Sequence, residues 1–565
     1  MVYTESSPAK AHIYVLAAAA LLCFLLNLGI VPVNVPEALV GITAAKLHTG
    51  NDIVVAVTDR GPVRVFPLAP WTSRVVSLVT GGVKEWSLRL PSVAAAFALA
   101  FASYQLTRRE AGRLPAFVAA GATITAVGVF IAARAGDGRI LFAAFIATAW
   151  VAWYIYGRLE KRWATAWCFA LLLVLLGALA GGAVAFAFFY FPLLFLRSPF
   201  QIWRKLRNPL HLVLLGCALL VYILWRVGGG FGGPMLYPPS SMLTTPWFVQ
   251  HGYGWQLVAF PVGCAWLALP WLLLAWPGFC AAYRPLEKTP ALASFLRTLL
   301  VTLFLACWAV PNISPMRLLP LVVPLGSLAG LHYEILVRRH HRGLRRCIRF
   351  VYGVVLGLAM LFVASVLVHA TSAIVFREWD WGRWLPGVAV AVLLPAIIKY
   401  LLKRRQRLAV WSELFVAAAS IYLLVAAAYL PLYALARNDV RRAGERLRRD
   451  VPADAVVHKL TNAHLFPECY YLHRVIRLVA SPSQLPDSNK TVYVLHGERP
   501  PILETRVWEP CSPPVVIGGD WHPAFVWNDR KRSLGAIDLG RSAAGSGAET
   551  VRMYCGVPRE PPETD

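Results

Sequence analysis

After a short polar opening the chain becomes apolar from Ala11, and apolar runs separated by short polar interruptions recur as far as Tyr433. Each run is long enough to cross roughly 30 Å of hydrocarbon at about 1.5 Å per residue, so each predicts a membrane-spanning helix. About thirteen such runs are legible by this criterion. The long run from Trp163 to Leu196 divides at Gly181-Gly182, and a pair of segments flanks Pro311.

The polar interruptions alternate in charge. Numbered from a cytoplasmic N-terminus, every second loop is basic. These loops hold Arg108-Arg109, then Arg158 with Lys161 and Arg162, then Arg204-Lys205 with Arg207. The pattern continues with Arg338-Arg339, Arg342, Arg345-Arg346 and Lys403-Arg404-Arg405. Short basic loops resist translocation, which places all of them inside. By elimination a long first loop of about residues 32–89, the segment Gly228 to Gln256 and everything after Arg437 lie outside. Lys10 precedes the first run, which carries no small-residue cleavage pattern and is expected to stay as an anchor.

The expected fold is therefore an α-helical polytopic membrane protein, with a membrane domain over residues 1–436 and an extracytoplasmic C-terminal domain over residues 437–565. The tail begins with the amphipathic stretch "NDVRRAGERLRRDV" and then alternates short apolar runs, such as Val475 to Val479 and Val492 to Leu495, with Pro and Gly turns. That alternation predicts a small α/β domain. Its last residues, rich in Ser, Gly, Pro and Glu, have a disordered composition.

Composition agrees: 58% hydrophobic residues against 15% charged, with a mean hydropathy of +0.57, would leave a soluble surface intolerably apolar. The net charge of +26, from 55 Lys+Arg against 29 Asp+Glu, changes nothing, because most of it sits in the topological loops. That argues against a nucleic-acid partner. Most of the ten cysteines fall within apolar runs, where a thiol is a small hydrophobe. Cys469, Cys511 and Cys555 lie in the tail, where one disulfide among the three is permitted, its pairing left open, and none shows a metal-binding spacing.

The first outer loop is the most informative stretch. Pro36 to His48 and Trp71 to Leu78 are amphipathic segments suited to the membrane interface, and the polar run between them holds Asn51-Asp52 and Asp59-Arg60. The first of these segments reads "PEALVGITAAKLHTGND", and further on come "EWSLRLPSVAAAF", "ARAGDGRILFAAF", "ALPWLLL" around Pro270-Trp271, and "SPMRLLPLVVPLGSLAG" around Arg317. With the tail motifs "FPECYYLHRVIRLV" and "TVYVLHGER", their order and spacing resemble the C-type superfamily of membrane glycosyltransferases over nearly the whole chain. That superfamily includes the lipid A aminoarabinose transferases and the protein O-mannosyltransferases.

The resemblance implies transfer of a sugar from a polyprenyl-phosphate carrier to a hydroxyl acceptor (glycolipid, glycan or protein) at the outer face of the plasma (inner) membrane. The sequence has no GxGxxG after a strand and no Walker loop, in keeping with a donor that is not a nucleotide sugar. The chemistry needs a carboxylate to accept the proton of the attacking hydroxyl, a cation for the departing phosphate, and an apolar groove for the prenyl chain. The resemblance does not require a divalent metal and is compatible with one. A secondary transporter and a non-catalytic cell-envelope assembly protein are the alternatives. Against a transporter, paired Gly/Pro-broken helices in corresponding halves are not seen, and charges cluster in the first outer loop.

The resemblance also implies where these groups stand. The family carries an acidic pair, usually Asp then Glu, just after the first helix; here the place reads Asn34-Val35-Pro36-Glu37, with Glu37 its only carboxylate. Glu37 is the first candidate base, with Asp52 or Asp59 as substitutes, and the bland reading is a Glu favoured by a helix dipole. Asp137, in "ARAGDGRIL", is the second candidate; the bland reading is a loop whose charges Arg134 and Arg139 neutralise. Arg317 is the first candidate for the phosphate, because a guanidinium grips phosphate oxygens in a fork, and Arg60 and Arg64 come next. In the family one lysine stands near the place of Arg64 and another where this chain has Gly181-Gly182. His251 is a candidate metal ligand or substrate contact, although one His with no nearby His or Cys more often has a structural role, and Trp379, Trp381 and Trp384 fit sugar stacking or an aromatic belt equally.

Overall fold

The computed structural model describes residues 10–46, 55–58, 61–196, 200–228, 246–311, 313–371, 381–404 and 409–437. In the tail it describes 441, 444–445, 448–449, 457–460, 466–472, 476–479, 492–496, 506–510, 515–517 and 549–558. Among these residues seven helices are long and apolar enough to cross a membrane, and nine spans result when two bent pairs are each taken as one. Shorter apolar helices cover Leu16–Leu25, Val184–Leu194 and Leu385–Tyr400.

The chain opens with α1 (Lys10–Leu25), followed by α2 (Val35–Lys46), a small antiparallel hairpin of β1 (Val55–Thr58) and β2 (Gly61–Arg64), and α3 (Leu68–Thr80). The membrane helices resume with α4 (Glu85–Ala111), α5 (Arg113–Ile124), α6 (Val127–Ala133) and α7 (Arg139–Ala152), which runs on through a π turn to Leu159. The break between α5 and α6, a 55° bend, leaves backbone groups that need partners inside an apolar body. They have them. Trp271 Nε1 donates to Thr125 Oγ1 at 2.9 Å, Tyr422 Oη to the Thr125 carbonyl at 2.8 Å, and Val127 N to the Leu269 carbonyl at 3.2 Å.

Next come α8 (Trp163–Gly181) and α9 (Val184–Leu194), divided at the two glycines, then α10 (Ile202–Leu206), α11 (Pro209–Gly228), α12 (Pro246–Ala268) and α13 (Leu272–Ala275). After α14 (Pro290–Ala309) a 3₁₀ segment, Pro315–Leu321, leads into α15 (Val322–Thr371). The 50-residue α15 is two helices meeting at a non-helical His340, inside the basic run expected to be a loop. The helices of the first 437 residues end with α16 (Trp381–Arg404), α17 (Val410–Leu424) and α18 (Leu430–Arg437).

The first outer loop departs from two helices lying freely at an interface. α3 is amphipathic, with Ala69, Ser73 and Ser77 buried and Val75, Leu78 and Val79 exposed. In contrast, Ala38, Leu39, Val40 and Ala44 of α2 are all buried, because α2 lies between α3 and a tail helix, Phe466–Leu472. That tail helix crosses between β3 (Val457–Leu460) and β4 (Ile476–Val479), which pair in parallel. The sheet continues with β5 (Val492–His496), β6 (Arg506–Pro510), β7 (Val515–Ile517) and β8 (Glu549–Pro558). Its order is β4-β3-β5-β8-β6, parallel across the first three and antiparallel around β8, which also pairs β7. Two phenols seat the tail helix. Tyr471 Oη accepts from Val33 N at 2.9 Å, and Tyr470 Oη donates to the Val83 carbonyl at 3.2 Å.

Candidate active site

Between α6 and α7 the backbone turns through Arg134 to Gly138. Gly138 has φ +79°, a left-handed conformation that suits glycine, and a Cβ there would stand 2.8 Å from the Cβ of Ala69. Arg134 faces away from the turn and donates to the carbonyls of Cys23, Phe24 and Asn27 at 2.8–3.0 Å, covering the acceptors at the end of α1. Asp137 Oδ1 accepts from Arg139 N at 3.1 Å, and its Oδ2 pairs with the Arg139 guanidinium. The Asp137 side chain is 1% exposed and that of Arg139 28%.

Asp137 and Arg139 line a cavity of about 40 Å³ together with Phe66, Phe142, Ala180, Gly181, Met316 and Arg317. Two residues expected from separate motifs, Asp137 and Arg317, thus face one space. Arg317 gets there on the 3₁₀ segment, whose first turn is capped by Ser314 Oγ accepting from Met316 N at 3.3 Å. Other residues of the same segment, Pro315, Leu318, Leu319 and Leu321, form one wall of a second cavity of about 360 Å³. Its remaining walls are apolar, among them Pro261, Leu272, Trp276, Phe304 and Leu325 from α12, α13, α14 and α15 and from the turn after α13. One short segment therefore separates a small charged cavity from a large apolar one.

Glu37 occupies a different position from a base exposed to substrate. It is 1% exposed and does not line the charged cavity. Arg89 grips it at two points, Nε to Oε1 at 3.0 Å and Nη2 to Oε2 at 2.9 Å. Gly136 N donates to Oε1 at 2.6 Å and Asn34 N to Oε2 at 3.1 Å. The Asn34 side chain returns the favour, accepting from Glu37 N at 2.9 Å, so Asn34 and Glu37 form a reciprocal cap on α2. Arg89 was absent from the sequence candidates, although a charge buried in the first turns of an apolar helix signals a partner or a function. Here the partner is Glu37.

At Gly181-Gly182, where the family pattern has a lysine, aromatic rings fill the space. A Cβ on Gly181 would meet Phe142 at 2.5 Å, and one on Gly182, whose φ is +92°, would meet Phe66 at 2.9 Å. Asp52, Asp59, Arg60 and Trp379 lie outside the described residues. Arg64 falls on β2 and His251 on α12, with only their backbone described, as for Trp381 and Trp384 on α16. Among the described residues no three His, Cys, Asp or Glu side chains come together as a metal-binding group.

No protein-family model matches the sequence, and no curated protein matches it. Solved structures do match, and what they share with this chain is the fold. The apo structure of ArnT from Cupriavidus metallidurans is similar with a TM-score of 0.62 at 16% identity, covering 86% of this chain and 93% of that one. The same ArnT bound to undecaprenyl phosphate gives 0.63 at 16% identity, over 87% and 94%. The many-helix membrane fold expected from the sequence is thus observed, with seven to nine spans among the described residues.

Proposed function

We propose that this chain is a glycosyltransferase that moves a sugar from a polyprenyl-phosphate carrier to a hydroxyl acceptor on the outer face of the plasma membrane. The observation that carries the reading is the 3₁₀ segment Pro315–Leu321, which places Arg317 in a charged cavity with Asp137 and forms, with its other side chains, a wall of the large apolar cavity. A prenyl chain fits the apolar side and its phosphate the charged side. That ArnT, a structure of the same fold, was solved bound to undecaprenyl phosphate supports a polyprenyl-phosphate ligand.

In this reading the acceptor oxygen attacks the anomeric carbon of the donor as its proton passes to Asp137. The bond from that carbon to the phosphate oxygen breaks, and polyprenyl phosphate leaves with the bonding electron pair. Arg317 faces the charge that grows on the leaving phosphate, where a guanidinium stabilises it most. Arg139 holds the Asp137 carboxylate in one orientation. Arg60, Arg64 and His251 are further candidates for the donor's phosphate and sugar, and Asp59 for a second carboxylate.

Taking the bent pairs as single spans, dividing α15 at His340 and adding the three shorter apolar helices gives thirteen crossings. With a cytoplasmic N-terminus, every basic loop then lies inside, and the turn 134–138, the 3₁₀ segment and the tail from residue 437 lie outside. The tail strands and helix form the extracytoplasmic α/β domain in this scheme. The test is transfer of radiolabelled sugar from a purified polyprenyl-phosphate-sugar pool by the full chain in proteoliposomes. Transfer to a hydroxyl acceptor supports the reading. Failure with every donor supplied, while an Asp137→Asn, Arg317→Ala chain still supports envelope integrity in cells, refutes it.

A further inference from the structure

The turn bearing Asp137 is held by Arg134, by Ser92 Oγ donating to the Ala135 carbonyl at 2.6 Å, and by one bond to a buried carboxylate. Gly136 N, the amide just before Asp137, donates to Glu37 at 2.6 Å, and Glu37 is itself held by two other residues. Arg89 reaches it from α4 and also donates to the Leu28 carbonyl at 2.6 Å. Asn34 caps it from α2. One residue earlier, Val33 N donates to the phenol of Tyr471 in the tail helix at 2.9 Å. A Cβ on Gly41 would stand 2.5 Å from the Tyr470 ring, so the helix carrying Glu37 and the tail helix meet with no room between them.

We infer that Glu37, Arg89 and Tyr471 are positioning residues: together they latch the extracytoplasmic tail to the Gly136-Asp137 turn and so set the place of the Asp137 carboxylate. The inference rests on the proposed function only in naming Asp137 as the proton acceptor. Three points favour positioning over packing. A guanidinium–carboxylate pair held at two points fixes direction as well as distance, which an apolar contact does not. The backbone amide it holds is adjacent to the reacting residue. And a displacement of about 1 Å at a reacting group can reduce turnover by about 10²-fold. Arg317 and the apolar cavity stand on other elements, so donor binding is independent of the latch.

The experiment compares wild type with Tyr471→Phe, which removes one oxygen and leaves the ring, and with Arg89→Lys, which keeps the charge but loses the two-point grip. The full chain is used in proteoliposomes. Both variants are expected to lower kcat for sugar transfer at least tenfold while the KM for the lipid-linked donor stays within twofold. Hydrogen exchange of the peptide spanning residues 134–139 is expected to quicken at least tenfold in both. If exchange in that peptide is unchanged in Tyr471→Phe and Arg89→Lys, the inference is overturned, whatever the activity. The exchange result also stands alone: were the wild type to transfer no sugar from any donor, the function would fail while faster exchange still supported the latch. A rise in KM with kcat unchanged overturns the inference too, since a positioning residue for Asp137 acts on the chemical step.

Discussion

Replacing Asp137 by Asn separates chemistry from structure more cleanly than any other substitution in this chain. Asn is isosteric, and its oxygen can still accept from Arg139 N, the contact that closes the turn at 3.1 Å. What is lost is the ability to take a proton and the ionic half of the contact with the Arg139 guanidinium. That second loss is modest, because Arg139 is 28% exposed to the cavity and keeps part of its hydration. A partly screened pair of this kind contributes about 1 kcal/mol. General-base catalysis contributes about 10²–10⁴ in rate, or roughly 2.7–5.5 kcal/mol in the barrier. The kinetic effect therefore exceeds the structural one severalfold. In proteoliposomes with a labelled polyprenyl-phosphate sugar, Asp137→Asn should lower kcat at least 100-fold or so, leave the donor KM within about twofold, and shift the unfolding midpoint by a few degrees at most. A variant that turns over within about threefold of wild type would refute the assignment of the proton acceptor, because no base contributing about 10²-fold or more can be so dispensable.

Arg317→Ala should lower turnover by about 10²–10³, with Arg317→Lys recovering part of it, since Lys keeps the charge but not the fork; steady-state rates of the three proteins check this. Gly182→Ala should cost roughly 1–3 kcal/mol of stability, because φ +92° disfavours any side chain and its Cβ would stand 2.9 Å from Phe66. A Phe66→Leu background should recover the steric share alone, read from thermal unfolding in detergent. The share of tail-helix docking that the phenols contribute should be constant below about pH 10 and weaken above it. Burial first, then the nearby Glu85 carboxylate, raises the phenols of Tyr470 and Tyr471 above their ordinary value of 10.0. A raised folded pKa means stability that is fully present below the unfolded value and lost as pH climbs toward the folded one. Limited proteolysis across an alkaline series measures it.

The membrane helices were legible because hydrocarbon leaves the chain few options: a run long enough to cross must satisfy its backbone internally, and α8, α9 and α14 fall where the apolar runs fall. The division at Gly181-Gly182 was legible for the same reason, two glycines interrupting a run. Asp137 and Arg317 could be named from their motifs, but their meeting in one cavity could not, since it depends on how α7 and the 3₁₀ segment pack. Glu37 shows the opposite case. Asn34 three residues before it is a capping signature readable from sequence alone. Its carboxylate points inward because Arg89 stands opposite, and nothing local reports that a residue on α4 will face α2. The burial of α2 was equally hidden, because its cover is a tail helix more than 400 positions later in the chain, as the separation of 438 between Val33 and Tyr471 shows.

The Glu37–Arg89 pair raises a question of cost. A buried ion pair is a weak source of stability, and replacing one with apolar side chains of similar volume is often neutral or favourable by about 1–4 kcal/mol. On that ground alone α2 and α4 would be better joined by leucine and methionine. The exchange, however, would strand the Gly136 and Asn34 amides and the Leu28 carbonyl, all of which now bond to these two side chains. Each stranded group costs about 1–3 kcal/mol, so the three together cost roughly 3–9 and outweigh the gain. The pair is thus kept less for the attraction between its charges than for the backbone ends it satisfies: the turn after α1, the start of α2 and the turn before Asp137. Those are the segments that must hold still if a carboxylate on a short turn is to meet a hydroxyl at bonding distance, and a catalytic group needs placement to within about 0.5 Å. An apolar joint would pack them together without fixing which way the Gly136 amide points.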